Sequence, residues 1–310
     1  MRFNDDAELD ASQVEEVGGS GGGGFGGGTI AVGGGGLALV GMVLYFLLSN
    51  FAGGGGQPAL PPLSLDQLPV GQQADDQRLA QECRTGADAN KREECALVAS
   101  INSIQGYWSE QFVRSGGKYQ AAPTKFFRGA VNTACGGATS DVGPFYCPAD
   151  ADVYIDLDFF KELKTRFGAQ GGSFVEAYVL AHEYGHHVQN LLGTNSKVNP
   201  RQTGPTSGAV RLELQADCYA GVWANHATTV PTRSGKPLIQ EISDDDIRRA
   251  VDAAGRIGDD YIQAKLGGGH VDESKFTHGS SAQREKWFTT GLRTGNPNAC
   301  NTFDPKVSLG

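Results

Sequence analysis

His182 and His186 stand four residues apart with Glu183 beside the first, in the run Ala181-His-Glu-Tyr-Gly-His-His-Val-Gln189. On a helix this spacing stacks two imidazoles one turn apart on the same side, where both can hold one Zn²⁺. Glu183 then projects toward the open coordination position, where it can take a proton from a water held by the ion. With six histidines in the chain, such a pattern arises by accident in on the order of one sequence in a hundred. The context argues against accident: two histidines and a glutamate in a mostly apolar helix are costly unless something compensates them.

A catalytic zinc needs a third protein ligand and an open position. Gln189 and Leu192 occupy the places where the longer metzincin pattern requires Gly and His, which excludes that pattern. Downstream, residues 211–223 read as a second helix whose acidic residues, Glu213 and Asp217, lie at i and i+4 on one face. One carboxylate can bind the metal while the other accepts the free N–H of a ligand histidine. Leu212, Leu214, Ala216, Cys218 and Tyr219 surround the pair, which favours burial beside a cation over a solvated face. His278 precedes a helix opened by the capping box Ser280-Ser-Ala-Gln283, and Arg284 follows six residues after it. His187 points about 100° away from His186 on the helix and is not expected to be a ligand. His226 and His270 lack a partner pattern.

These residues need a frame. Ser173-Phe-Val-Glu176 reads as a capping box that starts the histidine helix, and Gly193 is placed to end it. Phe174, Tyr178, Ala181, Gly185, Val188 and Leu192 recur at steps of three and four, giving one apolar face. Residues 76–115 and 158–167 read as helical, with further helices at 208–227, 243–265 and 281–291. Short extended candidates lie at 130–135, 144–147 and 153–157. Strands followed mostly by helices predict an α+β domain, mainly helical with a small sheet.

The three motifs, HExxH at 182–186, ExxxD in Glu213-Leu-Gln-Ala-Asp-Cys-Tyr-Ala220, and Phe276-Thr-His-Gly-Ser-Ser-Ala-Gln-Arg284, together resemble the bacterial predicted neutral zinc metallopeptidase family, a gluzincin-like group. The resemblance spans most of residues 66–300. It implies a zincin-like catalytic domain with one zinc, ligands His182, His186 and Glu213, Glu183 as general base, and Asp217 behind a ligand histidine. It also implies a glycine-flanked membrane helix before the domain. The His278-x₅-Arg284 spacing resembles the distal motif of membrane-bound CAAX-processing and heat-shock gluzincins. That likeness places His278 in catalysis and Arg284 near the transition state or substrate. In zincin folds the strand upstream of HExxH forms the cleft edge, and the likeness puts residues 153–157 there.

The 310 residues carry a net charge of -9, which disfavours a nucleic-acid partner. Residues 1–16 are strongly acidic, and glycines crowd between Gly18 and Gly56. No charge occurs from Val17 to Leu65, and 29–51 is long enough to span a bilayer. A cleaved secretory signal around 37–48 is the alternative, with Asn50-Phe51-Ala52 a poor cleavage site. The expected organisation is a cytoplasmic tail (1–28), a transmembrane helix (29–51), a Gly/Pro linker (52–65) and the peptidase domain (66–310). All six cysteines follow the helix, an even set that suggests disulfides in an oxidising, extracytoplasmic compartment. Pairing neighbours gives Cys83–Cys95 and Cys135–Cys147, leaving Cys218 with Cys300, one of 15 possible arrangements. The function expected is a membrane-anchored zinc endopeptidase acting on peptides or proteins. The alternative is a non-catalytic, zinc-stabilised domain that binds peptides or a partner at the bilayer.

Overall fold

The computed structural model of the protein describes residues 1–17, 76–199, 202–232 and 235–310. The amino-terminal residues supply strands β1 (Arg2–Phe3) and β2 (Val14–Glu16). After residue 75 come helices α1 (Asp76–Glu82), α2 (Gly86–Ala89) and α3 (Glu93–Arg114), then strands β3 (Thr124–Phe127), β4 (Ala130–Thr133), β5 (Gly136–Thr139), β6 (Phe145–Cys147) and β7 (Asp152–Asp156). Helices α4 (Phe159–Thr165), α5 (Ser173–Leu191) and α6 (Gly208–His226) follow. Strand β8 (Ile239–Glu241) and helices α7 (Asp244–Arg256), α8 (Asp259–Lys265) and α9 (Ser281–Thr294) complete the order.

The largest sheet among the described residues runs β2-β3-β7-β6, with β2, β3 and β7 parallel and β6 antiparallel on the edge. Strand alternation divides its side chains. Phe126, Val153 and Ile155 join the main core with α3 and α5, while Phe127, Phe145 and Tyr154 form a second cluster under the β4–β5 hairpin. The strand at 153–157 is therefore interior, with neighbours on both sides, and the sheet edges lie at β2 and β6.

Helix α5 is buried on nearly every side, including Phe174, Tyr178, Ala181 and Val188. It begins differently from the sequence expectation. Gly172, at φ +142°, is the residue before the helix, and no side-chain cap forms there. The glycine turn starts the helix at Ser173 itself, one residue too early for the Ser173–Glu176 box. The box at Ser280–Gln283 does form. The single helix expected over 243–265 breaks into α7 and α8, because Gly258 lies against the backbone of Ser281 and a Cβ there would meet its nitrogen at 2.4 Å.

Two helix crossings set the geometry of the site. A Cβ on Gly185 of α5 would lie 2.9 Å from Ala216 Cα of α6, so only glycine permits that approach. On the other side of α6, Gly221 faces the main chain of α9 at Phe288, and Gly291 of α9 faces the carbonyl of Cys218. Disulfides join Cys83–Cys95, Cys135–Cys147 and Cys218–Cys300, the arrangement that neighbour pairing gives.

The expectation of a preceding transmembrane helix is corrected. Residues 29–51 lie outside the described residues, and among the described residues no helix is long and apolar enough to cross a membrane. The flanking chain argues the same way. Residues 1–17, read from sequence as part of a separate tail, are built into the domain. Strand β1 pairs with β8 and β2 with β3. Phe3 is buried, and the amide of Asn90 bonds both its N–H and its carbonyl, at 2.9 Å each. Asn102 does the same for Asp10. Glu16, just before the undescribed stretch, is ion-paired with Arg78, just after it. One membrane crossing between them would separate two pieces that the fold holds together.

Candidate metal centre

One turn of α5 sets the Nε2 atoms of His182 and His186 3.2 Å from each other, and the crossing with α6 brings Glu213 to both. Glu213 of α6 places one carboxylate oxygen 3.2 Å from His182 Nε2 and the other 3.5 Å from His186 Nε2. Zinc bonds of about 2.0–2.2 Å imply tetrahedral edges of roughly 3.3–3.6 Å between donors, so the three side chains fit one ion. They form the one group of three or more potential metal-binding side chains among the described residues.

The tautomers fit as well. His182 Nδ1 lies 2.8 Å from Asp217 Oδ1, and a carboxylate accepts, so Nδ1 carries the proton. His186 Nδ1 lies 2.9 Å from Gln189 Oε1. The Gln189 amide is fixed in that sense because its nitrogen donates to the Leu212 carbonyl at 2.7 Å and to Gln215 Oε1 at 3.2 Å. Both neutral imidazoles thus turn an Nε2 lone pair toward the Glu213 carboxylate, an arrangement that repels itself unless a cation or proton sits between. Burial works against a charge on His182, yet Asp217 and Glu213 outweigh it and push its pKa up to about 10. Burial would likewise raise Glu213, but His186, His278 and His182 hold its carboxyl well below the usual range.

Behind His182 the charges are closed in. Asp217, fully buried, accepts from Tyr178 Oη at 2.7 Å, from Arg284 Nε at 2.9 Å and from Arg284 Nη2 at 3.0 Å. Burial opposes the Asp217 charge, and Arg284 with His182 overcomes that opposition and lowers its pKa. Arg284 reaches the inner end of the cleft, but it is 2 % exposed and its guanidinium is turned to Asp217.

Glu183 faces the cleft with the ligands and has no hydrogen-bond partner among the described residues. Burial raises its pKa, against the pull of His182 and His186. His278 lines the same cleft. Its loop is held by Asp259, whose Oδ2 accepts the backbone N–H groups of Thr277, His278 and Gly279 at 2.7, 2.7 and 2.9 Å. The other Asp259 oxygen lies 3.5 Å from His278 Nδ1. Burial opposes a charge on His278, while Glu213 and Asp259 favour it and raise its pKa overall.

His182, Glu183, His186, Glu213, His278 and Arg284 therefore line one cleft, with Asp217 buried behind His182. His187 turns away to Tyr146 Oη and the Gln120 carbonyl, at 3.1 and 2.7 Å. His226 bonds the Gly295 carbonyl at 2.9 Å, and His270 is exposed. Sequence reasoning missed Asp259 and the bonding roles of Tyr178 and Gln189. The one signal for Asp259 was an acid directly after Gly258, hidden by reading 243–265 as unbroken.

A helix pair that brings two histidines and a glutamate close enough to hold one metal ion, with Glu183 lining the same cleft, is the arrangement expected of an HExxH zinc site. The chain belongs to the family described as "Putative neutral zinc metallopeptidase", whose model matches residues 1–303. It is similar to Uncharacterized protein Rv2575 of Mycobacterium tuberculosis (strain ATCC 25618 / H37Rv), 50% identical over 223 residues, covering 72% of this chain and 74% of that one. It is also similar to Uncharacterized protein YpfJ of Escherichia coli (strain K12), 40% identical over 240 residues, covering 74% and 79%. No solved structure matches.

Proposed function

We propose that the protein is a zinc-dependent metallopeptidase that hydrolyses internal bonds of peptides or proteins, with one zinc per chain held by His182, His186 and Glu213. The observation that carries this reading is the spacing of those three donors at tetrahedral edges, with the unpartnered Glu183 carboxylate on the open side. A zinc ion held there supplies Lewis-acid polarisation of a carbonyl and an acidified water. Glu183 accepts the proton from the attacking water and delivers it to the leaving amine. Its raised pKa suits both steps, since a base tuned toward neutral pH also returns the proton.

His278 lines the cleft with the candidate ligands and is assigned here a hydrogen bond to the developing oxyanion, with Asp259 keeping its loop in place. Asp217 fixes His182 in the tautomer that leaves Nε2 free, and Arg284 holds Asp217. The antiparallel edge strand β6 follows the cleft-lining Pro144, which makes it the strand beside which an extended peptide can lie. Three disulfides support residence in an oxidising compartment outside the cytoplasm.

The test compares wild type with Glu183→Gln for cleavage of an unfolded protein and for zinc per chain. The variant is expected to keep its zinc and lose about 10²–10⁴-fold in turnover, the usual contribution of a positioned base. Cleavage by the variant at the wild-type rate would end the reading.

A further inference from the structure

His186 is tied through two amides to the carboxy-terminal segment. Its Nδ1 lies 2.9 Å from Gln189 Oε1, and Gln189 Nε2 reaches Gln215 Oε1 at 3.2 Å. Gln215 Nε2 donates in turn to the carbonyl of Cys300 at 3.0 Å. Cys300 ends the turn Pro297–Cys300 that follows α9, and its disulfide holds its Cα 5.5 Å from that of Cys218. Arg211, Gln215 and Cys218 lie at steps of four and three along α6 and so form one stripe. The chain after the turn follows that stripe: Cys300 sits at Cys218 and Gln215, and the Thr302 hydroxyl donates to the Arg211 carbonyl at 2.7 Å. Gln189, Gln215, Cys218 and Cys300 are all buried.

A carbonyl only accepts, so Cys300 decides which end of each amide faces its neighbour. Gln215 turns its nitrogen to Cys300 and therefore its oxygen to Gln189. Gln189 then turns its nitrogen to Gln215 and its oxygen to His186, which must carry its proton on Nδ1 and keep the Nε2 lone pair for the ion. The Leu212 carbonyl takes the other Gln189 hydrogen, at 2.7 Å. One acceptor alone would let the amide swing about a single hydrogen bond, whereas two set its plane. We propose that Gln215 and the Cys218–Cys300 bridge are positioning groups for the ligand His186. The bridge pins the Cys300 carbonyl, and through Gln215 that carbonyl sets the Gln189 amide. The proposal rests on the metal site of the peptidase reading and extends it to residues that touch neither the ion nor its ligands.

The test measures zinc affinity of the full-length protein by chelator competition, with denaturant unfolding alongside. Gln215→Leu leaves the bridge intact and should lower the affinity about tenfold, the low end of what a partner behind a ligand contributes. Cys218→Ala/Cys300→Ala should lower it by a similar factor. Adding Gln215→Leu to that protein should bring little further loss, because both changes act on the same amide. The Cys83–Cys95 bridge joins the end of α1 to α3 and has no part in this relay. Cys83→Ala/Cys95→Ala should therefore lose stability and keep the wild-type zinc affinity. The visible bands of cobalt-loaded protein report the geometry around the ion. They should shift in Gln215→Leu and in Cys218→Ala/Cys300→Ala, but not in Cys83→Ala/Cys95→Ala.

Wild-type affinity in Gln215→Leu overturns the proposal. So does an equal loss of affinity in the two bridge variants, which would trace the loss to stability alone. Fully additive losses from Gln215 and the bridge also overturn it, since they would act by separate routes. If Cys218→Ala/Cys300→Ala does not fold, Gln215→Leu and its cobalt spectrum decide alone. A wild-type protein that takes up no zinc ends the metal reading and this proposal together. A wild type that binds zinc, beside a Gln215→Leu protein that binds it equally well, ends this proposal and leaves the metal reading standing.

Discussion

His182 and His186 sit one turn apart on α5, yet regions of opposite character hold them. Behind His182 everything is buried and charged: Asp217, Arg284 and Tyr178 form a closed group in which each polar atom answers another. Behind His186 stands a neutral amide, Gln189, equally buried but carrying no charge. Both partners set the same tautomer. They differ in what their loss leaves behind, because a broken buried ion pair strands a charge and a broken amide contact strands only a dipole.

Breaking the charged region should have the largest effect. Asp217→Ala leaves the Arg284 guanidinium without its partner and is expected to cost about 3–5 kcal/mol of stability by denaturant unfolding. Zinc affinity should fall about 10–100-fold beside it. Arg284→Met in the same background tests the cause. Removing the stranded charge should recover part of the stability without restoring the affinity.

The start of α5 offers a third environment that sharpens the contrast. Glu176 is buried, with Lys164 at 3.7 Å as its nearest cation, and burial first, then Glu93, raises its pKa to about 7. A carboxyl whose folded pKa exceeds its unfolded one favours the fold while protonated. The favourable contribution is complete below pH 4.5 and is lost as pH rises through about 7. Wild type should therefore lose on the order of 2 kcal/mol between pH 4.5 and 8 that Glu176→Gln does not lose. Equal pH profiles for the two proteins would show that this acid is better partnered than its surroundings suggest.

Gln189→Ala should have the smallest effect, about 1 kcal/mol of stability and a loss of zinc affinity at the low end of the 10–100-fold range. A Gln189 effect as large as that of Asp217 would remove the distinction between the two regions. Proton linkage provides the last comparison. Asp217 and Glu213 favour a proton on His182 when no metal is bound, so zinc has to displace that proton and its affinity should climb with pH through neutrality. Titrations in buffers of different ionisation heat should show proton release by wild type and less by Asp217→Asn.

The proximity of His182, His186 and the carboxylate pair was legible because helical spacing puts each pair on one face of its helix. The disulfides were legible because neighbours along the chain also meet in space. Asp259 was not, since it acts through three main-chain amides of a loop that sequence does not display. Arg284 was found but not its target, because a pattern gives a residue's place along a helix and not the direction of its side chain. The amino-terminal strands misled for a different reason. Three residues of β2 are too few to show alternation, and acidic residues followed by glycines look like solvent-facing chain. Only the pairing with β3 and the bidentate asparagines reveal them.

The glycine contact between α6 and α9 has a consequence for how such a protein can diversify. Gly221 and Gly291 press one main chain on another, so the separation of Asp217 from Arg284 is fixed by backbone atoms that mutation cannot trim. The turn before β6 and the short helix α4 are under no such lock. On the peptidase reading proposed above, cleft-lining residues such as Val142 and Phe159 are free to change while that separation is kept.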